Sequence, residues 1–224
     1  MRCLRENVER FGSETRRMKT LELQLTQPAG FSASDCSAFR TIVADPPWPL
    51  NESWPAGRIP KGETHDRRRR ALPYPTMTLT EIAALPVSSM ADKNAHIYVW
   101  AISRYLAEAI ETVKAWGFRY VQTLVWAKKP MGLPPGGMYA PTVEFVIVGK
   151  RGSLPALKRV DTMWFNWPRT GKHSRKPDDF FRVVESVSPG PYLELFARRK
   201  RHGWASWGNE IASDVEMPNG DSTQ

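Results

Sequence analysis

Residues 41–50 read TIVADPPWPL: an apolar run with β-branched side chains meets a carboxylate, two prolines and a tryptophan. The run before Asp45 is typical of a short, buried β-strand. Pro46 and Pro47 stop this strand, because proline has no backbone amide to donate to a neighbouring strand. Two interpretations are open. Either the prolines merely end a strand beside an incidental aspartate, or the stretch is an active-site loop.

The composition is that of a globular domain: the chain has 224 residues, of which 41% are hydrophobic and 25% are charged. No apolar run reaches the length of a membrane span, and the N-terminus lacks the apolar core of a secretory signal. Cys3 and Cys36 form no disulfide framework and suit a reducing compartment, so we expect a cytoplasmic protein. The histidines and cysteines show no metal-ligand spacing, so no metal site is expected.

The net charge of +9 favours a polyanionic partner such as nucleic acid, and it is concentrated in two runs. One is RIPKGETHDRRRR at residues 58–70, and the other is RRKR at residues 198–201. The four arginines that end the first run are candidate nucleic-acid contacts: Arg67, Arg68, Arg69 and Arg70. The alternative is that each run is only a solvated surface.

Apolar segments rich in β-formers alternate with segments of helical periodicity from residue 39 onward. Strands are predicted over RTIVAD, AHIYVWAI, RYVQTLVWAK, VEFVIVGKRG and PYLELFARR, and helices over LTEIAALPVSSMA, SRYLAEAIETVKAWG and KPDDFFRVVESVSPG. In the second helix Ser103 is the expected N-cap and Gly117 the expected stop. The alternation indicates an α/β fold, with a mostly parallel central sheet and helices on both faces.

Ligands of such sheets bind outside the carboxyl ends of the strands. Asp45 lies at the end of its predicted strand, and so do Ser103, Lys128 and Arg198 in theirs. The stretch that opened this section therefore lies where an active site is expected, which favours its interpretation as a loop with a chemical role.

The chemistry that suits this loop is the presentation of an exocyclic amine of a nucleobase. Such an amine is a poor nucleophile because its lone pair is delocalised into the ring. Asp45 can accept one N–H bond, and a carbonyl of the rigid Pro46–Pro47 segment can accept the other. Trp48 offers a flat face on which an extruded base can stack. These parts together orient an amine for group transfer.

The motifs around this loop resemble the MT-A70 family of S-adenosylmethionine-dependent adenine-N6 methyltransferases. The resemblance covers most of residues 40–212, and its segments follow the family's order along the chain. They are VADPPW, YPTMTLTEIAALPV, HIYVWAISRYLAEAIETVKAWGFRYVQTLVWAKKPMG, EFVIVGKRG, KHSRKPDDFF and PYLELFARRKRHGWASWGNE. The resemblance implies a Rossmann-like methyltransferase fold in which the catalytic motif precedes the cofactor-binding segments.

The resemblance also implies roles for individual residues. The target-amine site is formed by Asp45, Pro46, Pro47 and Trp48. Lys176 corresponds to a lysine aimed at the carboxylate of S-adenosylmethionine, which is physically sensible for a cation. Glu194 and Arg198 correspond to cofactor-pocket positions, with Arg198 beside the ribose. Asn209 and Glu210 correspond to the pair at the adenosine end. Many members have a His-Glu pair before the fourth strand; this chain has Val143-Glu144, so no histidine role is carried over.

We expect residues 1–38 to form a peripheral segment, residues 39–212 the methyltransferase catalytic domain and residues 213–224 a flexible acidic tail. The expected reaction is methyl transfer from S-adenosylmethionine to the N6 amine of adenine in nucleic acid. Resemblance to small bacterial and phage members favours DNA over RNA. Two alternatives stay open: an N4-cytosine DNA methyltransferase, which Asp rather than Ser at position 45 disfavours, and a non-catalytic nucleic-acid-binding partner subunit. Trp164 and Trp167 are either packing residues or a lid over the base. The oligomeric state is left open.

Overall fold

The computed structural model describes residues 38–49, 76–128, 138–168 and 175–218. The expected N-terminal segment, apart from residue 38, and Arg67–Arg70 lie outside these described residues. No helix among them is long and apolar enough to cross a membrane.

Seven strands and four α-helices follow one another along the described chain. In chain order they are β1 (Phe39–Ala44), α1 (Leu79–Ala83), α2 (Val87–Met90), β2 (Ala91–Ala101), α3 (Leu106–Ala115), β3 (Arg119–Ala127), β4 (Val143–Arg151), β5 (Trp164–Phe165), α4 (Asp178–Val187), β6 (Tyr192–Leu195) and β7 (Trp204–Trp207).

The strands form one sheet in the order β5-β3-β4-β2-β1-β6-β7. β1 is central and pairs in parallel with both β2 and β6. β4 is antiparallel to its neighbours β2 and β3, whereas β5 pairs with β3 in parallel, as β7 does with β6. The mostly parallel α/β sheet expected from the sequence is confirmed, with β4 as the strand that runs against the others.

Both faces of the sheet are packed, as expected from the continuous apolar runs. Ile42, Ile97 and Ile147 point to the face covered by α1, α2 and α3, where they pack with Val113. On the opposite face α4 packs its phenylalanines against Trp100 and its neighbours. Alternate residues of the strands thus serve two cores, which is why their sequences are apolar throughout.

The first helix begins at Leu79 as the sequence indicated, but the course of the first two predicted helices differs from the prediction. The helix expected from Leu79 to about Ala91 is two short helices, and α2 begins directly after Pro86, which cannot continue the ladder of α1. Ser103 is not an N-cap: Ser103–Tyr105 form a 3₁₀ turn that precedes α3. The turn is explained by a tertiary contact, because it brings Tyr105 against the loop after β1. Gly117, with φ of +82°, ends the helical stretch as expected.

The first residues of the expected acidic tail contact the domain. Asp214 accepts a hydrogen bond from the Ser206 amide at 2.9 Å, and its own amide donates to the Ser206 carbonyl at 2.8 Å. Val215 and Met217 pack against the core that α1, α2 and α3 share.

Candidate active site

The carboxyl edge of the sheet gathers the charged residues that the sequence singled out. Asp45 follows β1, Lys128 follows β3 and Arg198 follows β6 by three residues. Because β4 runs in the opposite direction, its first residues lie at this same edge. Glu144 therefore joins the group from the start of a strand, whereas the others come from strand ends.

The loop after β1 is held from beneath by aromatic side chains. Trp48 is only 5% exposed, and its indole N–H donates to the Trp100 carbonyl at 3.0 Å. Its ring stacks on Tyr105 at 5.8 Å between centroids, and the Tyr105 hydroxyl donates to the Pro49 carbonyl at 2.7 Å. We expected Trp48 to offer its face to a base. In this structure its ring lies in the core, because packing against Tyr105 buries the largest apolar surface of the loop, and the ring supports the loop instead.

The two proline carbonyls already receive backbone hydrogen bonds. The Trp48 amide donates to the Pro46 carbonyl at 2.9 Å, and the Met77 amide donates to the Pro47 carbonyl at 3.0 Å. A carbonyl oxygen has two lone pairs, so each retains acceptor capacity for a further N–H group. These bonds fix the directions in which the remaining lone pairs point.

Four charged side chains form a continuous chain of ion pairs beside this loop. The Lys176 ammonium lies 3.0 Å from a carboxylate oxygen of Asp45 and 3.0 Å from one of Glu144. The second oxygen of Glu144 lies 2.8 Å from the Lys128 ammonium. Lys176 also lies over the Trp100 ring, 4.9 Å from its centroid. The set is electrically balanced, with two cations and two carboxylates, each at most about a quarter exposed.

Burial and neighbouring charge set the pKa of each of these groups. Burial raises the pKa of Asp45 above its ordinary value, with Lys176 opposing the rise and Glu144 adding to it. For Glu144, burial acts upward, but Lys176 and Lys128 outweigh it and hold the pKa below the usual range. For Lys176, burial acts downward, yet the two carboxylates outweigh it and raise the pKa. Of the two carboxylates among these ion pairs, Asp45 is thus the one whose ionised form is less favoured.

A cavity of about 340 Å³ opens beside Asp45 and Lys176. It is lined by Val43, Asp45, Trp100, Arg175, Lys176, Phe181, Glu194, Phe196, Arg198, Arg199 and Glu210. Such a volume falls at the lower end of the range for small-molecule sites, roughly 300–1,000 Å³.

Glu194 is a buried carboxylate with an unsatisfied oxygen in this cavity. Burial raises its pKa to about 7, with Arg201 opposing the rise and Asp45 adding to it. One carboxylate oxygen is buried without a hydrogen-bond partner in the described part of the chain, and the nearest cation, Arg201, has its Nε 4.0 Å away. A buried oxygen in this state is an acceptor that a bound ligand can satisfy.

The loops after β6 and β7 touch backbone to backbone at the edge of the cavity. A Cβ on Gly208 would lie 2.2 Å from the Ala197 carbonyl oxygen, so no side chain fits there. The Ala197 amide donates to the Trp207 carbonyl at 2.9 Å. This close approach places Arg198 beside Glu210, with 3.5 Å between their charged atoms.

The basic run at residues 198–201 is matched by acidic partners. Arg199 and Arg201 both contact Asp178, the second at 3.0 Å, and Lys200 contacts Asp214. Burial acts upward on the pKa of Asp178, but these arginines outweigh it and lower the pKa. Because Arg198 pairs with Glu210, every cation of the run has a carboxylate neighbour, and the run is an ion-pair cluster rather than an open basic patch.

The expected site residues divide into three groups. Asp45, Lys176, Glu194, Arg198 and Glu210 line the cavity together. Pro46, Pro47, Trp48 and Asn209 do not line it; the prolines and Trp48 shape the loop at its edge, and Asn209 is exposed beside Glu210. Arg67, Arg68, Arg69 and Arg70 lie outside the described residues, so their expected role remains a prediction.

Sequence reasoning did not assign a role to Glu144. Glu144 lies near the start of β4, and its position at the carboxyl edge depends on the antiparallel direction of that strand. No local sequence pattern shows strand direction. An acidic residue near the start of an otherwise apolar strand was the one available signal.

A mostly parallel α/β sheet with a charged cavity at its carboxyl edge is the architecture of a Rossmann-like methyltransferase. The sequence model of the MT-A70 family matches residues 39–210, and the chain belongs to this family.

Individual relatives match over the same region. The type II methyltransferase M.MunI of Mycoplasma sp is 29% identical over 191 residues, covering 80% of this chain and 81% of that protein. A putative N(6)-adenosine-methyltransferase MT-A70-like protein of Medicago truncatula is 28% identical over 78% of this chain. The human N(6)-adenosine-methyltransferase catalytic subunit METTL3 is 23% identical over 77% of it. The matched region spans only 26% and 28% of the plant and human proteins, respectively.

Proposed function

We propose that this protein transfers a methyl group from S-adenosylmethionine to the exocyclic N6 amine of adenine in nucleic acid, with DNA favoured over RNA. The observation that carries the proposal is the position of Asp45. Its carboxylate lies at the wall of a ligand-sized cavity, at the carboxyl edge of the sheet, next to two proline carbonyls of fixed direction. The preference for DNA rests on the resemblance to small bacterial and phage members.

The residues of the cavity fit this cofactor. Three of its lining residues, Trp100, Arg175 and Glu194, carry buried polar atoms that have no hydrogen-bond partner among the described residues. Two of these atoms are donors and one is an acceptor, which suits a ligand that bears both a carboxylate and hydroxyl groups. Lys176 would hold the cofactor's carboxylate, and Glu194, Arg198 and Glu210 would hold its nucleoside part. The cofactor supplies an electrophilic methyl group on a sulfonium sulfur.

Asp45 has two tasks in the reaction. It accepts one N–H bond of the target amine while a proline carbonyl accepts the other, which turns the nitrogen lone pair out of the base plane. When the nitrogen gains its fourth bond it becomes positively charged, and the neighbouring carboxylate stabilises that charge. Both tasks require the ionised form of Asp45, although burial disfavours it.

Lys176, Glu144 and Lys128 act on Asp45 through charge. Lys176 pairs with Asp45 and favours its ionised form, whereas Glu144 draws the same lysine towards itself. Lys128 neutralises Glu144 from the other side and so limits that competition. Glu144 and Lys128 are therefore positioning residues for the Lys176–Asp45 pair.

The proposal is tested by incubating the protein with methyl-labelled cofactor and, separately, with DNA and RNA, followed by digestion to nucleosides. We expect label in N6-methyladenosine of the deoxy series. Label in the ribose series would correct the DNA preference, and label in N4-methylcytosine would correct the base. If neither polymer is labelled and calorimetry detects no cofactor binding, the protein is a non-catalytic subunit and the proposal is wrong.

A further inference from the structure

A second cavity, of about 390 Å³, lies on the α4 face of the sheet over β3 and β4. We call it the basic groove and define it by the cations Lys150, Lys158 and Arg159 and the apolar side chains of Leu124, Val148 and Phe165. One wall is formed by the last turns of α4, and the other by the chain between β4 and β5. This chain is anchored at its two ends, where the Leu157 amide donates to the Val187 carbonyl and the Met163 carbonyl accepts from the Val125 amide.

The cations of the basic groove differ from those near the catalytic cavity. Each member of the run at residues 198–201 has a carboxylate neighbour, but Lys150, Lys158 and Arg159 form no ion pair with any residue in the described ranges. Asp161 is the single acidic residue between Leu154 and Phe165. The groove therefore carries an excess of positive charge that the described protein does not neutralise.

A cross-strand pair strengthens this excess. Arg119 and Lys150 are directly opposite each other in the antiparallel pair of β3 and β4, so their side chains share one face. Like charges in this position repel each other and destabilise the pair. An anion bound between them would replace repulsion with attraction, so this end of the groove favours a negatively charged ligand.

The surroundings of the groove favour a ligand that also has flat apolar parts. Val121, which lines the groove, is 44% exposed, and the half-buried Phe165 of the edge strand β5 lies on the floor of the groove. Single-stranded nucleic acid alternates phosphates with bases, and proteins bind it with cations and exposed aromatic rings placed side by side. A purely acidic peptide would use the cations but leave these apolar surfaces in water.

We propose that the basic groove binds the nucleic acid outside the target nucleotide, with phosphates on Lys150, Lys158 and Arg159 and an unstacked base against the apolar floor formed by Leu124, Val148 and Phe165. The site is separate from the catalytic cavity, because the two cavities share no lining residue. The inference rests on the proposed function only for the choice of ligand.

The test compares the double variant Lys158→Gln, Arg159→Gln with the control Lys93→Gln, Lys114→Gln. Both remove two exposed cations, but neither Lys93 nor Lys114 lines the groove. Affinity for a fluorescent single-stranded oligonucleotide is measured by anisotropy at several salt concentrations. Each lost phosphate contact lowers the slope of log affinity against log salt by about 0.7 for single strands. The groove variant should therefore lose about 1.4 in slope and bind about ten- to a hundredfold more weakly near 0.1 M salt. The control should keep both values.

A third variant, Phe165→Leu, separates stacking from charge, because leucine keeps an apolar side chain in the floor of the groove but removes the aromatic ring. We expect about five- to a hundredfold weaker binding with an unchanged salt slope, since stacking releases no counterions. Equal salt slopes for wild type and the groove variant would overturn the inference. It would also be overturned if the wild-type protein formed a dimer, independent of salt concentration, that dissociated in the groove variant.

These outcomes are distinguishable from failure of the proposed function. A wild type that binds nucleic acid through the groove without methylating it contradicts the function but supports the groove. A wild type that methylates nucleic acid, together with an unaffected groove variant, contradicts the groove alone. Calorimetry should show unchanged cofactor affinity in every groove variant, because no groove residue lines the catalytic cavity.

Discussion

At the scale of single residues, the carboxylate of Asp45, which we propose to be catalytic, competes with that of Glu144 for one lysine. Lys176 is equidistant from Asp45 and Glu144, at 3.0 Å from each. In the described part of the chain only Glu144 has a second lysine, so the pKa of Glu144 stays low, whereas burial raises that of Asp45. The carboxylate that we propose to meet the substrate is thus the one whose ionised form is less favoured.

The first prediction concerns Asp45→Asn. The amide keeps the shape of the side chain but presents no negative charge to the amine, so turnover should fall at least about a hundredfold, as for the loss of one preorganised electrostatic contact. Cofactor affinity should change little, because Lys176, Glu194 and Arg198 remain. Labelled methyl transfer and calorimetry measure the two quantities. Full activity in this variant would remove Asp45 from the mechanism; the exposed Asp161→Asn serves as the control.

The second prediction is a pair of opposite pH shifts. The charged groups that act on Asp45 are Lys176, Glu144, Arg198 and Glu194. Glu144→Gln removes a charge that raises the pKa of Asp45 and frees Lys176 for it, so the acidic limb of the rate profile should move to lower pH. Lys128→Gln leaves Glu144 dependent on Lys176 alone, so the limb should move to higher pH. Shifts of the same sign in both variants would contradict competition between Asp45 and Glu144 for Lys176. If Glu144 and Lys128 had only a structural role, neither variant would move the acidic limb.

The third prediction concerns Glu194, whose pKa burial raises to about 7. Its ionised form is the better acceptor for a ligand hydroxyl, so cofactor affinity should rise as the pH increases towards about 7 and then level off. Glu194→Gln cannot ionise, so its affinity should be weaker and independent of pH across this range. Calorimetric titrations at several pH values test this, with the exposed Glu216→Gln expected to behave as wild type. A pH-dependent affinity in the Gln variant would assign the effect to another group.

At the scale of elements, the site depends on strand ends that approach closely. The loops after β6 and β7 meet at Gly208, where a Cβ would lie 2.2 Å from a backbone oxygen of the other loop. Neither atom belongs to a flexible side chain, so the loops themselves have to separate if a side chain is introduced. The pairing of Arg198 with Glu210 depends on this contact.

The fourth prediction is that Gly208→Ala weakens both stability and cofactor binding. Overpacking of this kind destabilises by about 1–3 kcal/mol, and separation of the loops displaces Arg198 from Glu210. The control is Gly203→Ala, in the turn before β7. Gly203 has φ of +78°, and no atom lies within 4 Å of the position that a Cβ would take, so alanine there strains the backbone by about 1–2 kcal/mol without moving the loops. Thermal unfolding and calorimetry should show destabilisation in both variants but weaker cofactor binding only in Gly208→Ala.

The sequence predicts these elements wherever the determining interactions are local. The strand before Asp45 and the helix stop at Gly117 follow from proline chemistry and from glycine's access to positive φ. The predicted start of α3 was wrong because the Tyr105 hydroxyl is held by the carbonyl of Pro49, which is distant in the sequence. Glu144 could not be placed because the direction of β4 is a property of the whole sheet, and Trp48 could not because its environment includes Tyr105 and Trp100.

At the scale of the whole molecule, two buried groups, His96 and Glu194, contribute to acid stability with opposite signs. His96 is 7% exposed, with one ring nitrogen 2.7 Å from the Ser188 hydroxyl and the other 3.0 Å from the Leu154 carbonyl. The carbonyl can only accept, so that nitrogen carries the proton of the neutral ring. Burial lowers the pKa of His96, and Lys150 and Arg40 add to this effect, while the bond to Leu154 opposes it.

His96 and Glu194 make the free energy of unfolding change with pH in opposite directions. The unfolded chain protonates His96 below its ordinary value of 6.5 while the folded protein resists, so acidification below this value removes stability. Glu194 behaves in reverse: the folded protein holds its proton up to about 7, the unfolded chain only up to 4.5. Acidification through this interval therefore adds stability. Between about pH 6.5 and 4.5 the two effects oppose each other, so the free energy of unfolding of the wild type should change little with pH.

The fifth prediction separates them. His96→Gln should be less stable than wild type at neutral pH, because a buried hydrogen bond is lost. Its stability should nevertheless rise as the pH falls from about 7 to 5, since the opposing effect of His96 is gone while Glu194, and with the same sign Asp45, still take up protons in the folded protein. Glu194→Gln should do the opposite and lose stability as the pH falls below about 6.5. Each group can contribute at most about 1.4 kcal/mol per pH unit, which denaturant unfolding resolves over this range. The exposed His202→Gln should follow the wild type. Removing one of two opposing effects must leave the pH dependence of the free energy of unfolding with the sign of the other effect. If this pH dependence were parallel in His96→Gln and Glu194→Gln, neither buried group would govern stability in this range.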